Sequence, residues 1–344
     1  MQRTDCAAQA RRPGVASRPL LALLLPAALL APAGCERAEQ PAIATAAATG
    51  APTVPAEPLA YTPPADSLIP SDSLGASIRR GRALLVRTTD SLPGYAPGNI
   101  QCASCHLDAG RRPDAAPLIG VAARFPKYMD RSGAVISIQD RVNYCFTRSM
   151  AGTRLPADSR EMTDIVAYLA FLSRGVPQGA EVKGSGMPKM PALTGDASRG
   201  AQVYASTCVA CHQANGQGMA PLVPALWGPG SYSIGASMAR VERAASFIRH
   251  FMPQSNPGSL TDQQAFDVAA YVNAQPRPDS PGKELDWPLG GAPADVPYAT
   301  EGHTAYRPPA PLGPRADPAG AIVPPPASAA RPAARPAARG APPR

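Results

Sequence analysis

Two short runs in this chain, Cys102-Ala103-Ser104-Cys105-His106 and Cys208-Val209-Ala210-Cys211-His212, share one spacing. Two thiols held two residues apart can each add across a vinyl group of a haem. The histidine that follows directly can ligate its iron, so C-x-x-C-H reads as covalent haem c attachment. A bare C-x-x-C would also serve a redox dithiol or half of a zinc site. The adjacent histidine argues against both, and only His250 and His303 remain to complete a zinc centre. Two covalently bound haem c groups are therefore expected, one on Cys102, Cys105 and His106, the other on Cys208, Cys211 and His212.

The two runs sit in an internal repeat, and the repeat locates the second ligand of each iron. Met252-Pro253 begins 40 residues after His212. A thioether there would raise the reduction potential and suit electron transfer. At the matching place in the first copy, 39 residues after His106, stands Cys145. Of seven cysteines, four are taken by haem, and Cys6 and Cys35 fall in the leader region, so Cys145 is left without a partner. An odd thiol in an exported protein marks reactivity or ligation. The expected metal ligands are thus His106 with Cys145, and His212 with Met252. The alternative is a buried, inert Cys145 with Met150 or Met129 at the iron.

Elements that could position these groups recur in both copies. Arg80-Gly81 and Arg199-Gly200 lie in short helical stretches (Ile78 to Val86, Ala197 to Ala205) ahead of the motifs. Amphipathic closing helices follow at Glu161 to Leu172 and Asp262 to Val272, the first with Ile165, Leu169 and Leu172 on one face. The expected fold class is all-α, with two tandem cytochrome c domains over residues 66–175 and 196–280. A Gly/Pro/Lys-rich linker over 176–195 joins them.

The ends read differently. Arg3, Arg11, Arg12 and Arg18 precede an apolar run from Leu20 to Leu30, the pattern of a secretory signal peptide over 1–34. This implies a periplasmic protein. Ala33-Gly34-Cys35 resembles the end of a lipoprotein box, which makes acylation of Cys35 the one route to a membrane. Residues 35–65 read as a disordered Pro/Ala/Thr tether, and 281–344 as an extended, disordered Pro/Ala/Arg tail.

The net charge of +8 comes from those ends: residues 1–18 contribute +3, residues 307–344 contribute +5, and the rest cancels. A neutral core has no nucleic-acid footprint. Within it, residues 124–154 carry Arg124, Lys127, Arg131, Arg141, Arg148 and Arg154 against Asp130 and Asp140 only. A small anionic substrate beside the first haem would account for the cluster, as would a solvated basic face.

The run Arg141-Val142-Asn143-Tyr144-Cys145-Phe146-Thr147-Arg148-Ser149-Met150-Ala151-Gly152, set between two C-x-x-C-H domains, resembles the diheme thiosulfate dehydrogenases over about residues 66 to 276. The resemblance implies oxidation of two thiosulfates to tetrathionate, reversible as tetrathionate reduction. Electrons would pass singly to an external acceptor, such as another c-type cytochrome. It implies His/Cys ligation at the substrate-side haem and methionine at the other, with Arg131, Arg141 and Ser149 in an anion pocket. Arg148 joins them as a catalytic candidate from the charge cluster.

Two dianions about 4 Å apart repel by about 4 kcal/mol even in bulk water, and planar arginine forks can offset this. Cys145 could lower the first haem's potential as a thiolate ligand, or carry one substrate sulfur as a covalent adduct. Members of that family can alternate methionine with a neighbouring lysine; here the neighbours of Met252 are Arg249, His250 and Phe251. The competing readings are an electron-carrier diheme cytochrome c and a haem subunit of a sulfur-oxidising complex.

Overall fold

The computed structural model describes residues 57–302. Their helices are α1 (Ser73–Val86), α2 (Ile138–Tyr144), α3 (Arg160–Phe171), α4 (Ala197–Thr207), α5 (Val241–Phe251) and α6 (Asp262–Asn273). Side-chain caps start most of them. The Asp72 carboxylate accepts from Gly75 N at 2.9 Å, Ser159 Oγ from Met162 N at 3.1 Å, Asp196 from Arg199 N at 2.8 Å and Thr261 Oγ1 from Gln264 N at 3.2 Å. One antiparallel hairpin, β1 (Lys127–Met129) with β2 (Ala134–Ile136), pairs Tyr128 with Val135 and stands out from an otherwise helical chain.

Each half closes by packing its first helix on its last, α1 on α3 and α4 on α6. A glycine makes each crossing close. A Cβ on Gly81 would lie 2.0 Å from the Asp164 carbonyl oxygen, and one on Gly200 1.9 Å from that of Asp267. The arginine before each glycine then reaches the carboxylate of the facing residue: Arg80 Nε to Asp164 at 2.7 Å, Arg199 Nε to Asp267 at 2.8 Å. Ser77 adds a 2.6 Å bond to Asp164, and Asp196 N a 2.7 Å bond to Asp267. Burial works to raise both carboxyls, but these donors outweigh it and hold them below the usual carboxylate range.

The stability these carboxylates contribute is present above about pH 4 and is lost as acid protonates them. Asp267→Asn is expected to cost about 2 kcal/mol, the scale of a hydrogen bond to a charged group, seen as a lower thermal midpoint at pH 7. The deficit relative to the parent should be the same at pH 5 and shrink only toward pH 3.

Three segments expected to be loose are instead packed. Residues 57–65, assigned to the tether, run along the linker: Leu59 N donates to Glu181 O and Lys183 N to Leu59 O, both at 2.8 Å. The linker itself is strapped to the first half, with Asp114 N on Gly184 O at 2.9 Å and Ala116 N on Gly186 O at 2.7 Å. Residues 281–302, expected to open the tail, bury Trp287, Val296 and Tyr298 in one cluster with Ile234 and Ala292 alongside. Their Pro/Gly-rich composition suggests disorder, but three large apolar side chains and a buried Asp286 supply enough contact to order them. The leader, Cys6, Cys35, His303 and the tail beyond residue 302 lie outside the described residues.

Candidate functional site

The first attachment loop is fixed from below by side chains of its own half. Cys102–Ser104 forms a tight 3₁₀ turn after Gln101, whose amide bonds Thr89 in both directions, at 2.6 and 3.0 Å. Buried Thr88 accepts from Cys102 N at 3.1 Å and donates to Leu84 O at 2.8 Å. After His106 the chain turns through three successive left-handed residues, Asp108, Ala109 and Gly110. Tyr168 of α3 pins that turn with a 2.9 Å bond to Ala109 O. The His106 ring is oriented by Nδ1 against Ala116 O at 2.5 Å, which leaves Nε2 as the free nitrogen.

Cys145 lines the same cavity as His106 and lies in contact with it. Helix α2 opens at its C-terminal end into a π turn, Cys145–Ser149, a local widening common at functional sites. Cys102, His106, Arg141 and Cys145 line one cavity, and Leu85, Leu118, Val121, Phe125, Ile138, Val142, Phe146, Ile165 and Leu169 supply its apolar walls. Arg141, one turn before Cys145 on the same helix, places Nη1 3.6 Å from its Sγ. Burial pushes the Cys145 thiol up, but the Arg141 charge and then contact with His106 pull it further down, to about 7. Burial, with Cys145 close by, pushes Cys102 and Cys105 up to about 12.

The remaining candidates are placed elsewhere. Arg131 and Arg148 do not line the cavity: both bind the carboxylate of Asp286. Ser149 is partly buried at the end of the π turn and is also absent from the lining. Lys127 and Arg124 of the basic cluster do line it, together with Met129, whereas Met150 is buried in the core of the first half. Of the two methionines weighed against Cys145, only Met129 reaches the cavity.

In the second half, His212 Nδ1 meets Pro224 O at 3.1 Å, again leaving Nε2 free. Cys208 packs beside Tyr204, Trp227 and Tyr271, whose rings stand 5.1 to 5.9 Å apart. Met252 ends α5 in a cluster formed by Ala115, Phe247 and Phe251, which Leu107 and Met187 also join. It therefore lies at the seam between the halves, against the same cluster as Leu107, the residue that follows His106. His250 turns its Nδ1 to Ser246 O at 2.8 Å, within its own helix.

These residues fit haem. All four attachment thiols are free, each motif histidine is held by one nitrogen with the other available, and the first site has an apolar cavity of opposed donors. Two helical halves, each closed over a C-x-x-C-H loop, define a diheme c-type cytochrome. A family model for the SoxA/TsdA cytochrome c domain matches residues 95–178, and one for cytochrome c matches 197–275.

The chain is 39% identical to a thiosulfate dehydrogenase of Psychrobacter arcticus over 258 residues, covering 73% of this chain and 79% of that one. It is 41% identical to the thiosulfate dehydrogenase of Allochromatium vinosum over 230 residues, covering 64% and 85%. Its fold matches the thiosulfate dehydrogenase TsdBA of Marichromatium purpuratum with a TM-score of 0.61 at 35% identity, over 65% of this chain and half of that one, 50%. The chain belongs to the thiosulfate dehydrogenase family of cytochromes.

Sequence reasoning missed Asp286, Trp287 and Tyr298. The available signal was two aromatic residues and an acid within a stretch otherwise rich in proline and glycine.

Proposed function

We propose that this diheme cytochrome oxidises thiosulfate, joining two molecules through their outer sulfurs into tetrathionate. Two electrons leave singly to an external acceptor such as another c-type cytochrome. The observation that carries this reading is the odd thiol of Cys145, brought into one cavity with His106 and with Arg141 3.6 Å from its sulfur. When bound, the two haems accept those electrons one at a time and pass them on.

Cys145 serves in turn as the thiolate opposite His106 and as the carrier of one substrate sulfur. In the first step a sulfur–sulfur bond forms between Cys145 Sγ and the outer sulfur of one thiosulfate, and two electrons are lost. In the second, another thiosulfate attacks the adduct sulfur that bears the sulfonate, and the Cys145 thiolate leaves. Thiosulfate and tetrathionate both stay deprotonated, so the coupling neither releases nor consumes protons overall. Arg141, with Lys127 and Arg124 on the same wall, neutralises the paired sulfonates, a task the charge product makes necessary. His106 and Cys145 would hold the iron of the first haem, and His212 and Met252 that of the second. The site of action is the periplasm, with acylation of Cys35 the alternative to a freely soluble form.

The test is turnover of the purified chain with thiosulfate and ferricyanide. One tetrathionate per two ferricyanide reduced is expected. Ferricyanide reduction without tetrathionate, or none at all, would overturn the reading. Arg141→Ala is expected to lower kcat/KM by about 100-fold, chiefly through KM, as a lost charged contact to each substrate would.

A further inference from the structure

Asp286 is a buried carboxylate that accepts four hydrogen bonds, and it lies far along the chain from both arginines it binds. Its side chain is 1% exposed. Arg131 donates to it through Nε at 2.9 Å and Nη2 at 2.8 Å, Tyr298 through its hydroxyl at 2.8 Å, and Arg148 through Nη2. Arg131 also donates to Gly235 O at 2.7 Å and lies over the Trp287 ring at 4.8 Å, while Trp287 N returns a 2.8 Å bond to Arg131 O. Pro288 lies against Gly133, the next turn residue of the hairpin but one. Residues 286–288 therefore grip the hairpin tip, and the first strand of that hairpin carries Lys127 and Met129 to the cavity wall.

The second arginine connects Asp286 to the reactive thiol. Arg148 stands three residues beyond Cys145 in the same π turn, stacked 4.0 Å over Tyr144, and its carbonyl accepts from Ser233 Oγ. A π turn is a weak local arrangement, so its geometry depends on what holds it from outside. With the carboxylate removed, two poorly exposed guanidiniums would face each other uncompensated and at least one would swing away.

We propose that Asp286 is a positioning residue of the substrate site, holding through Arg148 the turn that bears Cys145 and through Arg131 the hairpin that walls the cavity. This rests on the thiosulfate-oxidising reading above and extends the site to residues 286–298.

The test compares the full-length holoprotein with Asp286→Asn and Arg148→Lys. Ferric low-spin haem with a thiolate ligand has a long-wavelength absorption band, which reads the placement of Cys145 without turnover. Asp286→Asn is expected to keep both covalent haems, to weaken that band and to lower kcat/KM at least tenfold. Arg148→Lys leaves the hairpin grip intact and is expected to weaken the band alone or with a smaller loss of kcat/KM. It carries the test if Asp286→Asn does not fold.

A band and a kcat/KM equal to the parent's in folded Asp286→Asn, or in Arg148→Lys if Asp286→Asn is insoluble, would overturn the proposal. A parent protein that makes no tetrathionate would instead remove the functional reading. The band in the variants would still report whether Asp286 positions Cys145.

Discussion

Cys145→Met is expected to end tetrathionate formation, lowering turnover with thiosulfate by on the order of 10³-fold or more, while both haems stay attached. Attachment depends on Cys102, Cys105, Cys208 and Cys211, none of which the change touches. Methionine fills similar space in an apolar wall and still offers sulfur opposite His106, so the cavity should persist. A thioether in place of a thiolate raises the reduction potential of an iron centre, which favours removal of electrons from substrate. If Cys145 acted only by setting a potential, the variant would turn over as well as the parent or faster. If it must bond to a substrate sulfur, the thioether cannot replace it. Haem content, the potential of each haem and tetrathionate per ferricyanide, measured on one preparation, separate the two roles. Full tetrathionate formation by the variant would leave Cys145 no covalent part.

The largest expected effect on stability belongs to Gly200→Ala. The added methyl would meet the backbone oxygen of Asp267 at 1.9 Å, and that oxygen belongs to a helix already fixed by Arg199 and by Asp196 N. Helices α4 and α6 must move apart, at a cost of about 3 kcal/mol or more. The expected product retains haem on Cys102 and Cys105, with the second site incompletely loaded and a lower thermal midpoint. Gly81→Ala should do the same to the first half, where the contact is 2.0 Å from Asp164 O. Gly175 is the control: its φ is +82° but nothing lies near an added Cβ, so alanine there should cost only about 1 kcal/mol. Equal midpoints for Gly175→Ala and Gly200→Ala would show that helix approach does not limit the second half.

What the sequence conveyed and what it withheld divide along chain distance. The attachment loops and the Arg-Gly helices were legible because each depends on a spacing of a few residues. A helix places positions four apart on one face whatever the rest of the chain does. Cys145 was legible from its place in a repeat.

Arg131 and Arg148 were visible as charges, but their partner lies 155 and 138 residues away, and no local pattern links them. The resemblance put Arg131, and the charge cluster Arg148, beside an anion; in the structure both bind the carboxylate of Asp286. Lys127 and Arg124 were seen only as members of the same cluster. Their place on the cavity wall follows from a hairpin whose tip is anchored by residues that composition assigned to a disordered tail. Proline and glycine there reduced the expectation of order, and irregularly spaced Trp287, Val296 and Tyr298 produced no periodic signal to counter it.

The grip on Asp286 also sets an order of events during biosynthesis. Arg131 and Arg148 lie 155 and 138 residues ahead of the carboxylate that receives them, so neither can be gripped until the chain extends past residue 286. Until then the thiol centre stands unfinished. A product terminated shortly after residue 280 would be coloured, with both pigments bound, yet lack the last piece of its reactive chamber.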